Sequence, residues 1–239
     1  MTDTRIPLAI DFDSTAWPFL NALGAVPETP THADGSQVDQ TNCFHWDVLP
    51  ELFGATRAND PDFFDKDGID RMLAAMDAAR SAESLRRHGL FDGFAEAIRA
   101  LQTDGYRPLI LSDISETSAA AVEAYLAECG IEIELVRCKG RDKAQWCLDN
   151  GSPLLVDDSP ETIADAAAKG LPLLTFPWPF NQEALAAAKE NSTVVEPAGS
   201  WQPMLAAIRE QLDWIETCTS LGELTDRCMH NGLDFTATV

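Results

Sequence analysis

Hydrophobic and polar positions change their period along this chain. The run Ile6-Pro7-Leu8-Ala9-Ile10 is short and unbroken, and it ends in Asp11-Phe12-Asp13-Ser14-Thr15. An apolar run of this kind predicts a buried strand that delivers polar residues at its C-terminal end. The pattern then breaks. From Trp17 to about Gly89 come a short helical piece, a loop rich in Pro, Thr, Gly and Asp over residues 27–40, an aromatic stretch around Phe44 and Trp46, and a long amphipathic helix. That helix carries Ile69, Met72, Leu73 and Met76 on one stripe, which reads as packing surface.

From Leu90 onward the chain turns regular, with helical periodicity alternating with short apolar runs, the pattern of βαβ units and a parallel sheet. Helices are predicted around 92–103, over 115–129 with Gly130 as the stop, from Asp142 through 148, from Ser159-Pro160 to Gly170, and over 201–215. Strands are predicted at 108–111, 131–136, 153–156 and 171–175, and residues 216–239 read as a peripheral tail. The fold class is therefore α/β, as one domain with a sizeable insertion after the first strand.

Composition narrows the partners. The 239 residues are 45% hydrophobic and 23% charged, the profile of a globular protein. Acidic residues outnumber basic ones by 39 to 17, a net charge of −22 that repels polyanions, so a nucleic-acid polymer is not an expected partner. No apolar run is long enough to span a bilayer or form a signal-peptide core, and a cytoplasmic protein is expected. The six cysteines, at 43, 129, 138, 147, 218 and 228, form no Cys-x-x-Cys pair and predict reduced thiols. The pairs Cys43/His45 and Cys228/His230 each lack a matching second pair of metal ligands. Asp65-Lys66-Asp67-Gly68 fails the EF-hand register, which would put Phe63 and Ala74 at ligand positions.

In open parallel sheets, ligands bind beyond the carboxyl ends of the strands. There the sequence places Asp11 and Asp13, Ser112, and Asp157-Asp158, with Lys143 at a helix start. Taken singly, these residues read as caps, turn formers or a solvated lysine. Together they converge on one chemistry. Each close pair of like charges costs about 4 kcal/mol at an effective dielectric of about 20, so clustered carboxylates call for a divalent cation. Oxygen donors without histidine or thiolate point to Mg2+.

These residues give the sequence its resemblance to the haloacid dehalogenase (HAD) superfamily of phosphatases. Asp11-Phe12-Asp13-Ser14-Thr15 matches motif I, Ser112 motif II, Lys143 motif III and Asp157-Asp158 motif IV. Lys139 competes for motif III, but Lys143 opens the helix that leads into the motif IV strand. The resemblance implies a Rossmann-like doubly wound sheet, a catalytic core over 1–16 and 87–215, and a small helical C1-type cap over 17–86. It implies a phosphomonoester hydrolase in which Asp11 attacks phosphorus and Asp13 is the acid and base. Ser112, Lys143 and Thr15 would bind the phosphoryl group. Asp11, the Asp13 carbonyl and Asp158 would hold Mg2+, with Asp157 behind them. The second aspartate speaks against a dehalogenase.

Trp46-Asp47-Val48 and the segment at 179–181 are similar to features of the 5′(3′)-deoxyribonucleotidase-like branch. Nucleoside 5′-monophosphates are thus the leading substrate class, with Trp17, Phe44 and Trp46 as candidate base-stacking residues beside the alternative that they are core. Other readings are a sugar-phosphate or small-metabolite phosphatase, a phosphotransferase, or a silent phospholigand-binding protein. The expected partner in each is a small phosphorylated metabolite.

Overall fold

The structure is a computed structural model that describes residues 4–45, 47–56, 62–138, 142–188, 192–194 and 200–230. Among the described residues six strands carry the fold: β1 (Pro7–Ile10), β2 (Arg107–Ser112), β3 (Glu134–Arg137), β4 (Leu155–Val156), β5 (Leu173–Thr175) and β6 (Ser192–Val194). They form one sheet in the order β3-β2-β1-β4-β5-β6, and every pairing is parallel. The strand order reverses between β1 and β4, which makes the crevice beyond their carboxyl ends the place for a ligand.

The insertion between β1 and β2 holds α1 (Phe19–Gly24), α2 (Val48–Leu52), α3 (Lys66–Ala79) and α4 (Ala82–His88), and α5 (Phe94–Thr103) then leads into β2. After β2 come α6 (Glu116–Glu128), α7 (Lys143–Asn150), α8 (Pro160–Lys169), a 3-10 turn at Pro179–Asn181, α9 (Gln182–Ala187) and α10 (Trp201–His230). Local chemistry sets these boundaries. Ser115 and Asp142 accept from the amides of Ser118 and Gln145, and α8 has Pro160 in its first turn. Gly151 and Gly170 end α7 and α8 in the left-handed conformation, at φ 72° and 68°.

Alternation along the strands divides the core. Leu8, Ile10, Ile110, Val156 and Leu174 face one cluster, and Ala9, Leu109, Leu111, Leu155 and Leu173 face the other. The first cluster takes in the insertion as well, through Phe19, Leu20, Leu23, Leu49, Phe53, Ala79 and Leu85. Two expectations shift. Leu73 lies on the exposed side of α3, and the buried positions are Gly68, Ala75 and Ala79. The last helix, expected to end near Ile215, runs on to His230, because no proline interrupts 216–230. Among the described residues no helix is long and apolar enough to cross a membrane.

The insertion is packed to backbone contact at one point. A Cβ added at Gly24, the last residue of α1, would lie 1.9 Å from the Val38 carbonyl oxygen. Backbone must move to admit it. Gly24→Ala is expected to lower stability by about 1–3 kcal/mol, read as a lower urea midpoint. An unchanged midpoint would show that the two segments do not touch.

Candidate active site

The loop after β1 is held by long-range contacts. The Asp11 amide still donates to the Val156 carbonyl at 2.8 Å, which joins the ends of β1 and β4. The chain then folds back, with the amides of Ala16 and Trp17 donating to the Phe12 carbonyl at 2.9 and 3.1 Å. Ser14 sits at φ 54°, the left-handed region that disfavours side chains. Its neighbours hold it there. Ser14 Oγ donates to Gln40 Oε1 at 3.1 Å, Trp178 Nε1 donates to the Ser14 carbonyl at 2.8 Å, and Trp201 Nε1 donates to the Thr15 carbonyl at 2.9 Å. Strain kept in place by three separate segments is a mark of a functional turn.

Beyond this loop the carboxylates meet. Asp11, Asp157 and Asp158 are all buried, and they present oxygens within 4.8 Å of one another. Lys143, the first residue of α7, places Nζ 2.6 Å from Asp157 Oδ2 and 2.9 Å from Asp11 Oδ1. The Ser159 amide donates to the other Asp157 oxygen at 2.9 Å, so both oxygens of that carboxylate are engaged. Asp158 Oδ1 accepts from Thr15 Oγ1 at 3.0 Å, and Asn181 Nδ2 fixes the Asp158 carbonyl at 3.1 Å.

One ammonium does not balance three buried carboxylates, and the proton equilibria reflect that. Burial pushes the Asp158 carboxyl well above its ordinary value, with the charges of Asp11 and Asp157 adding to it. Burial likewise pushes Asp157 up to about 6, although Lys143 pulls it down. Burial would lower the Lys143 ammonium, but Asp11 and Asp157 more than reverse this and hold it charged. A buried group of hard oxygen donors with surplus negative charge suits a divalent cation, and Asp11 and Asp158 are the carboxylates with capacity for one.

Asp13 lines the same cavity and is paired with the insertion. Arg80, just past the end of α3, donates Nε to Asp13 Oδ2 at 3.0 Å and Nη2 to the same oxygen. Burial raises the Asp13 carboxyl while Arg80 opposes the shift. A cavity of about 520 Å³ opens over these groups, with Ser112, Lys143, Asp158, Phe19, Met76 and Arg80 in its wall. The arrangement offers a nucleophilic carboxylate, cations for an anion, and a second carboxyl for proton transfer.

Solved structures share this architecture. An HAD family hydrolase from Deinococcus radiodurans R1, with phosphate and sodium bound, superposes with a TM-score of 0.56 at 15% identity, covering 88% of this chain and 97% of that one. A hydrolase from Pseudomonas syringae gives 0.56 at 13% identity, over 85% and 99% of the two chains. The fold is that of the HAD hydrolases. A protein assigned as a phosphoglycolate phosphatase from Lactobacillus delbrueckii subsp. bulgaricus gives 0.54 at 14% identity, over 87% and 99%. No protein-family model matches the sequence, and no curated protein matches it.

On this HAD fold the structure brings Asp11, Asp13, Ser112, Lys143 and Asp158 to one cavity, with Asp157 directly behind Lys143. Lys139, the competitor of Lys143, lies outside the described residues, as does Trp46. Three expected contacts are placed elsewhere. Thr15 is buried beside Asp158 and outside the cavity wall, because its hydroxyl is spent on that carboxylate. Trp17 is fully buried, stacked on Phe12 with ring centroids 5.7 Å apart, so it is core. Phe44 is 70% exposed and absent from the cavity wall. Arg80, Gln40, Trp178 and Trp201 were not expected at the site. For the tryptophans a signal existed, since a buried indole seeks an acceptor for its N–H.

Proposed function

We propose that this chain is a metal-dependent phosphomonoesterase that works through an aspartyl-phosphate on Asp11. The observation that carries the reading is the meeting of Asp11, Asp13, Ser112, Lys143 and Asp158, from separate strand and helix ends, around one cavity. Asp11 attacks phosphorus in line, which divides one difficult displacement into two. Lys143 and Ser112 hold the phosphoryl oxygens, where charge gathers in the transition state. Asp13 protonates the leaving oxygen and later takes a proton from water. Mg2+ is the proposed ion, held by Asp11, Asp158 and the Asp13 carbonyl, with Asp157 acting from behind because its oxygens serve Lys143 and the Ser159 amide. When bound, it neutralises the carboxylate cluster and polarises a phosphoryl oxygen. Residues 17–86 act as the cap over this centre.

The substrate is a small phosphomonoester with an uncharged remainder. The cavity wall also carries Asp113, Asp142, Glu161 and Asp165, of which Asp142 and Asp165 share Lys169, so a second anionic group meets repulsion. Support for a nucleoside monophosphate weakens. Trp17 is core, Phe44 points elsewhere, and the Phe19 ring is covered by the Arg80 guanidinium, with Cζ 4.6 Å from its centroid. Asn181, from the segment similar to the nucleotidases, holds the Asp158 backbone.

Phosphate release from glucose 6-phosphate, phosphoglycolate and dUMP is the direct test. In Mg2+ the hexose ester is expected to give the highest kcat/KM, and excess chelator is expected to stop release from all three. Mg2+ should also raise the melting temperature, because binding to the folded state alone adds about 2.7 kcal/mol of stability at a hundred times its dissociation constant. No release from any phosphomonoester would overturn the phosphatase reading, and an advantage for dUMP would restore the nucleotidase one.

A further inference from the structure

Arg80 is 4% exposed, unusual for an arginine at the end of a helix in an insertion. Its guanidinium is fixed from several directions. Nη1 donates to the Met76 carbonyl at 3.3 Å, the Phe19 ring lies against one face, and Nε and Nη2 meet Asp13. The two Asp13 oxygens differ. Oδ2 accepts from both Nε, at 3.0 Å, and Nη2, whereas Oδ1 receives the longer Nε contact at 3.2 Å. The helix behind Arg80 is tied to the sheet side of the molecule, because Asp77 Oδ1 accepts from Ser115 Oγ at 2.8 Å and Ser118 Oγ at 2.6 Å.

We propose that Arg80 is a positioning residue for the proton-transfer step: it holds Oδ2 of Asp13 with two donors and Oδ1 with Nε alone, and so fixes the orientation in which Oδ1, the less engaged oxygen, meets the leaving-group oxygen. This inference rests on the phosphatase reading. As the bond from an Asp11 oxygen to phosphorus forms and the bond from phosphorus to the leaving oxygen breaks, the proton on Asp13 Oδ1 passes to that oxygen. In the second half, water bonds to phosphorus, the Asp11–phosphorus bond breaks, and the water proton returns to Oδ1. A carboxyl free to rotate offers Oδ1 correctly for part of the time. A planar guanidinium fork removes that freedom, and a lysine ammonium, a point charge, does not.

The test compares Arg80→Gln and Arg80→Lys with wild type in Mg2+, on p-nitrophenyl phosphate, whose leaving group needs little protonation, and on phenyl phosphate, which needs more. In single-turnover release of the leaving group, which reads the first half of the reaction alone, both variants are expected to slow about tenfold to a hundredfold on phenyl phosphate and far less on the nitrophenyl ester, with KM little changed. A raised KM with unchanged kcat would make Arg80 a substrate-binding residue. Equal losses on both esters would make it structural, and full rescue by lysine would show that charge alone matters. Each of these overturns the clamp. The melting temperatures of Arg80→Gln, Asp13→Asn and the double variant form a second test that needs no turnover. Coupled losses support the clamp, and additive losses refute it. Failure of the phosphatase reading looks different: wild type would release phosphate from neither ester, and the clamp would then have no step to serve.

Discussion

Asp11→Asn is expected to fold as the wild type does and to lose at least about a thousandfold in phosphate release, equivalent to about 4 kcal/mol of barrier. The amide keeps the shape of the carboxylate but cannot attack phosphorus. Its effect on the fold is small for a reason visible in the site. Asp11 shares Lys143 with Asp157, so removing its charge leaves the ammonium paired at 2.6 Å and relieves part of the repulsion among the three carboxylates. The melting temperature without metal should therefore stay level or rise. Circular dichroism and single-turnover phosphate release settle both halves of this expectation. Activity within about tenfold of wild type, a barrier change of about 1.4 kcal/mol, would remove Asp11 from the role of nucleophile.

Lys143→Met should act on stability as strongly as on catalysis. The lysine side chain is 11% exposed, and its partners Asp157 and Asp11 are 0% and 7% exposed. Taking one partner out of a buried ion pair leaves an uncompensated charge and costs about 3–5 kcal/mol. Methionine fills similar volume, so the loss reports charge more than packing. Mg2+ should then stabilise the variant more than it stabilises wild type, because the cation replaces a charge that the chain has lost. Turnover should stay low even in saturating Mg2+, since Lys143 is the group that holds a phosphoryl oxygen. Urea unfolding with and without Mg2+ measures this directly. An unchanged midpoint in the absence of metal would contradict the buried pair, and normal turnover would free Lys143 from its assigned role.

Much of the site was legible from local pattern. An unbroken apolar run ending in Asp11 reads as a buried parallel strand, and Asp157-Asp158 after Leu154-Leu155-Val156 reads the same way. The caps Ser115, Asp142 and Ser159 and the stops Gly151 and Gly170 mark helix boundaries, because a cap satisfies amides within three residues of itself. Lys143 could be placed because it opens the helix that such a cap begins.

Arg80 could not be placed in this way. It lies 67 residues from Asp13, and a basic residue at the end of an insertion helix reads locally as a solvated charge. Trp17 shows the converse: its position next to motif I suggested a ligand face, and packing against Phe12 and Phe19 buried it completely.

The sequence by itself determined the period of each segment, its boundaries, and which strand ends carry carboxylates, because these follow from backbone geometry and from hydrogen bonds between near neighbours. Tertiary structure alone decided that Arg80 clamps Asp13, that Thr15 serves Asp158, and that Trp178 and Trp201 hold the loop that carries Asp13. Such pairings join positions far apart in the chain. A side chain's burial pattern says that it needs a partner, but which partner it finds depends on how the elements pack.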